Sequence, residues 1–132
     1  MTTSDLPAEG QPDVSSEGTE APFDDVITLS TSTDEDGVVT VKVVGEVDTF
    51  TAPVLRSTLD GQLEQSPREL VIDLSGVQFL GSAGLAVLVE TQKSARSREV
   101  ALRLIATTRA VTRPLEVTGL IDLFTIADSP SR

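Results

Sequence analysis

The sequence predicts an α/β domain, a mixed β-sheet packed against α-helices, preceded by a disordered acidic tail. Two patterns carry that reading. Short runs of aliphatic and β-branched residues alternate with stretches whose apolar residues recur every three or four positions, as strands interleaved with helices do. The charge also divides by position. Residues 1–36 hold ten carboxylates and neither Lys nor Arg, whereas residues 37–132 hold eleven carboxylates against ten basic groups.

The tail comes first. Residues 1–24 are rich in Ser, Thr, Pro, Gly, Asp and Glu and have almost no large apolar groups. Such a segment buries too little surface to offset its ordering entropy, so it is expected to be disordered, with the folded domain over 25–132. Its acidity suits either a regulatory arm or a solubilising extension.

Val26 to Thr31 has strand composition, and Thr33-Asp34-Glu35-Asp36-Gly37 is a turn cluster. Val38 to Gly45 follows, with Val39, Val41 and Val43 on one face and Thr40 and Lys42 on the other. This is the pattern of an antiparallel hairpin with one buried face. After Asp48-Thr49-Phe50, Thr51 is placed as a helix N-cap, and Pro53 is tolerated in the first turn. Ala52, Leu55, Leu59 and Leu63 form one apolar stripe, and Ser66-Pro67 ends the helix.

Leu70 to Leu74 is a short apolar run expected of an interior strand. A loop then leads to Ser82, where helical period resumes with core residues Leu85, Val87, Leu88 and Val89. Lys93, Arg96 and Arg98 close this helix, where cations suit the negative end of its dipole. Val100 to Ile105 is the next strand. Pro114 predicts that the third helix starts late, near Thr112, and Gly119 suits its C-terminal cap. Leu123 to Ile126 is a final strand. The order β-β-α-β-α-β-α-β favours a partly parallel sheet with helical crossovers.

The composition excludes several classes of chemistry. Without cysteine there is no disulfide, thiol nucleophile or thiolate metal site. Without histidine there is no Ser-His-Asp triad, and the commonest zinc ligand is missing. Gly81-Ser82-Ala83-Gly84 resembles a hydrolase elbow only superficially, since Leu80 stands where the first glycine is needed. No phosphate loop with Lys and Ser/Thr is present. The near-neutral domain lacks the basic field and the aromatic platforms of a nucleic-acid binder. No apolar stretch approaches the length of a membrane span, and the N-terminus does not read as a secretory signal. The expectation is a cytoplasmic protein with no cofactor, no metal and no enzymatic activity.

Two positions carry alternative readings. Ser82 either caps its helix or presents its hydroxyl to a partner, and a capping hydroxyl at the surface can do both. Asp48 is either a turn residue near a helix start or part of a partner surface beside the Ser82 loop.

Three segments then resemble successive signatures of the STAS domain: Gly45-Glu46-Val47-Asp48, Asp73 through Leu85, and Val117-Thr118-Gly119-Leu120. Within that family the bacterial anti-sigma factor antagonists are most similar. The resemblance spans about residues 25–127, and the middle segment is its most specific part. It implies a four-stranded mixed sheet packed against helices. It implies a protein that binds an anti-sigma factor with serine kinase activity and frees sigma factor; a monomer is expected. Phosphorylation at Ser82 would end that binding, and a phosphatase would reset it. The resemblance places partner contacts at Asp48, Thr49, Gly81, Ser82, Ala83 and Gly84.

The chain departs from the family pattern at two positions beside Ser82. Family members commonly carry Asp before the phosphorylated serine and Ser or Thr after it, where this chain has Gly81 and Ala83. Ala83 leaves Ser82 the only hydroxyl in the loop, and Gly81 removes a charge that recognition would use. The alternative is a STAS adaptor that is not phosphorylated and binds another protein, such as a transport ATPase.

Overall fold

The computed structural model describes residues 27–127. The tail expected over residues 1–24 lies outside them, as does Val26. Strand β1 (Ile27–Thr33) and strand β2 (Val38–Val47) form the hairpin, with Ile27 opposite Gly45 and Thr33 opposite Val39. Its turn is held by Asp34, whose Oδ1 accepts the Asp36 N–H at 2.8 Å and the Val38 N–H at 3.0 Å. Gly37 completes it at φ +84°, a backbone conformation that other residues adopt only with strain.

Helix α1 (Ala52–Glu64) leads to β3 (Glu69–Leu80), α2 (Ser82–Ser97) to β4 (Ala101–Ile105), and α3 (Arg109–Val117) through a short 3₁₀ turn to β5 (Thr125–Ala127). The sheet order is β1-β2-β3-β4-β5, antiparallel only between β1 and β2. Its five strands match the sequence pattern. They are one more than the family resemblance implied, the addition being the three-residue β5. Each crossover steps one strand in the same direction, so right-handed connections carry all three helices to one face. On that face Val39, Val41, Val43, Leu70, Ile72, Leu74, Leu102 and Leu104 join the stripe Ala52, Leu55, Leu59 and Leu63 in one buried core. Leu85, Val87 and Leu88 of α2 and Val111 and Leu115 of α3 complete it.

Two expectations are corrected. Strand β3 does not stop at Leu74 but continues to Leu80. Its pairing with β2 shifts twice: Lys42 and Val44 face Asp73 and Gly76, and Gly45 and Glu46 face Val77 and Phe79. Each shift places one extra residue in β3, a β-bulge. The buried positions therefore fall at Leu74, Val77 and Leu80, a spacing of three that disguises a strand.

Helix α3 begins at Arg109 rather than near Thr112, and Pro114 lies inside it. Proline removes one intrahelical hydrogen bond. Val111 and Leu115, both wholly buried, hold the helix against the sheet across that break. Gly119 follows at φ +77°, as expected of a residue that ends a helix.

Candidate functional site

Parallel strands deliver their carboxyl ends, and the helix N-termini that follow them, to one edge of the sheet. Here the ends of β2 and β3 bring together the loop 48–51 and the start of α2. The two are bonded directly, since the Gly81 N–H donates to the Val47 carbonyl at 2.9 Å.

Asp48 builds the first loop. Its Oδ1 accepts the N–H of Phe50 at 2.9 Å and of Thr51 at 3.1 Å. Thr51 is buried, and its Oγ1 accepts the Asp48 N–H at 2.9 Å. The same hydroxyl has one proton to give. The Glu46 carbonyl at 2.8 Å is the better acceptor than Asp48 Oδ1 at 3.2 Å. Thr51 holds the N-cap position of α1 but makes no side-chain bond to the helix. Its hydroxyl ties the loop back to β2, and the Asp48 side chain holds the loop amides of Phe50 and Thr51.

The serine is not the N-cap of its helix. Gly81 takes that position in an extended conformation, its carbonyl accepting the Leu85 N–H at 3.0 Å, and Ser82 is the first residue of α2. No side chain caps this end, and among the described residues the amides of Ser82, Ala83 and Gly84 have no hydrogen-bond acceptor. Ser82 is exposed and its hydroxyl is bonded to no described residue. Of the two readings of the sequence, the cap is therefore excluded, and the hydroxyl stands exposed at the surface.

Gly84 fixes the position of that hydroxyl. A Cβ on Gly84 would lie 2.6 Å from Val47 Cγ1 and 2.7 Å from Leu80 Cδ1, both side chains of the core. Only a glycine lets α2 start this close to the sheet. Of the six residues expected to meet a partner, Ser82 and Thr49 are exposed, Asp48, Gly81 and Ala83 are half-buried, and Gly84 is buried. All six lie at the same edge, but Gly84 faces inward. Sequence reasoning missed that Phe79 faces solvent here, because its place after the second bulge breaks the alternation that would have shown its side.

The arrangement offers an uncapped helix start and a free alcohol, with no histidine in the chain to act as base. It belongs to a regulatory binding domain. The STAS domain family matches residues 30–131, and the chain belongs to that family. It is a binding protein and not an enzyme. It is 35% identical over 100 residues to the anti-sigma-F factor antagonist RsfB of Mycobacterium tuberculosis, covering 76% of this chain and 80% of the relative. An anti-sigma-B factor antagonist of Staphylococcus aureus is 32% identical over 92 residues, 70% of this chain and 85% of the relative.

Among solved structures, an anti-sigma factor antagonist from Mycobacterium paratuberculosis superposes with a TM-score of 0.74 at 39% identity, covering 85% of this chain and 92% of that one. The antagonist SpoIIAA in its unphosphorylated form gives 0.65 at 14% identity, over 76% of this chain and 88% of that one, a likeness of fold. Among the described residues no helix is long and apolar enough to cross a membrane.

Proposed function

We propose that this chain is an anti-sigma factor antagonist of the cytoplasm. In this reading it binds, as a monomer, an anti-sigma factor that is also a serine kinase, and so frees a sigma factor. Phosphorylation of Ser82 ends the association, and a phosphatase restores it. The observation that carries the reading is the exposed Ser82 hydroxyl at the first position of α2, beside three amides that have no acceptor among the described residues.

The chemistry is local. Phosphate adds about −1.5 to −2 charge at neutral pH. At the head of a 16-residue helix, free N–H groups and the dipole receive that charge, so the domain tolerates it. In a packed interface the same group is bulky and costly to desolvate, and each 1.4 kcal/mol lost weakens binding about tenfold. The block is steric and electrostatic, and no rearrangement of the domain is required. The names of the relatives support the antagonist role.

The test is incubation of the full chain with ATP and the kinase-type anti-sigma factors of the same genome, with phosphate mapped by mass spectrometry. One phosphate on Ser82, absent from Ser82→Ala, is the expected result. Binding without any phosphorylation would replace this reading with the unphosphorylated adaptor.

A further inference from the structure

Beside Ser82 the molecule exposes large apolar side chains. Phe79 is 51% exposed and stands outside the core. Val54, in the first turn of α1, is also 51% exposed, and Phe50, in the loop before it, is 68% exposed. The second bulge of β3 turns Phe79 outward, and Gly81 gives its ring a seat. A Cβ on Gly81 would lie 3.0 Å from Phe79 Cε2 and 3.3 Å from Cζ. The ring therefore fills the space that a side chain immediately before Ser82 would otherwise claim.

The charged residue paired with this ring is acidic. Glu46, paired with Phe79 in the sheet, is exposed, and Asp48 is half-exposed nearby on the same strand end. Residues 43–55 and 69–92, which carry the ends of β2 and β3 and the starts of α1 and α2, contain no Lys or Arg, and Arg109 at the start of α3 is exposed farther along the edge. A second copy of the chain docked through this same patch would set Glu46 and Asp48 against their own counterparts. A partner whose apolar pocket is bordered by Lys or Arg would complement it.

We infer that Phe79 is a specificity-determining contact, seated on Gly81 and inserted into such a pocket on the partner protein. The inference rests on the reading of Ser82 as part of a protein-binding surface. It adds that recognition beside the serine is aromatic. Buried aromatic anchors surrounded by a polar rim carry most of the energy of typical interfaces.

The test uses the full chain and each kinase-type anti-sigma factor of the same genome, with affinities measured by calorimetry. Phe79→Ala is expected to weaken binding at least tenfold. Phe79→Leu, which keeps apolar bulk, should bind at least tenfold more tightly than Phe79→Lys, which opposes the partner's basic border. Val117→Ala, which removes an apolar side chain on α3 that is 71% exposed, should change affinity less than twofold. The Leu and Lys variants decide the matter if Phe79→Ala fails to fold. Equal affinities for Leu and Lys, with tight binding by the wild type, would overturn the role of Phe79 and leave the reading of Ser82 standing. A wild type that binds none of these proteins would overturn both.

Discussion

Gly84 meets Val47 so closely that a single added carbon would lie 2.6 Å from the valine Cγ1. The contact joins the first turn of α2 to the end of β2, and the bond from Gly81 to the Val47 carbonyl joins them again. Ser82 sits between those two attachments. Its position is set by the core beneath it, its side chain making no bond to a described residue.

Gly84→Ala is the direct test of that seat. Overpacking against Val47 and Leu80 costs about 1–3 kcal/mol, and the better helix propensity of alanine returns part of it. A net loss of about 1–2 kcal/mol in urea unfolding is expected. An unchanged midpoint would show that the helix start slides freely.

Asp48 separates two roles by two substitutions. Asp48→Ala removes the acceptor for the Phe50 and Thr51 amides and should cost about 1–2 kcal/mol. Asp48→Asn keeps an oxygen in that place, and its unfolding midpoint should stay within about 0.5 kcal/mol of wild type. If the partner reads the charge, Asp48→Asn weakens binding while remaining stable. If affinity is unchanged, the residue serves the turn alone.

Ser82 should behave in the opposite way to Gly84. Neither Ser82→Ala nor Ser82→Glu touches a described hydrogen bond, so both should unfold within about 0.5 kcal/mol of wild type. Ser82→Ala should hold the partner in the presence of ATP, and Ser82→Glu should bind it at least tenfold more weakly. A glutamate variant with wild-type affinity would remove the basis for a charge-operated block.

Gly61→Ala is expected to stabilise the domain. Gly61 lies within α1, and a Cβ there would meet nothing within 4 Å. Replacing a helical glycine in open space gains roughly 0.5–1 kcal/mol. A higher denaturation midpoint with unchanged partner affinity would confirm that this face is not used.

Much of this fold was legible in the sequence because its signals were local. The stripe Ala52, Leu55, Leu59 and Leu63 names its own buried face, and Gly37 and Gly119 mark turns that require positive φ. What stayed hidden depended on neighbours distant in sequence. The six residues from Ser75 to Leu80 read as a loop because their buried members fall three apart, and only the paired end of β2 reveals two bulges. Pro114 argued for a late helix because the packing of Val111 and Leu115 is invisible in one dimension.

The candidate site was legible as a location, since Ser82 and Asp48 could be named from residue types and resemblance. Its arrangement was not. That Gly81 caps the helix in place of Ser82 follows from backbone angles, and that Gly84 faces inward follows from its distance to Val47.

The inward glycine and the outward phenylalanine divide the labour at this edge. Position 84 is locked to the scaffold, whereas the ring at position 79 stands half in solvent. If the partner reads that ring, domains that differ at this position would keep separate circuits apart while the alcohol at position 82 stayed in the same place.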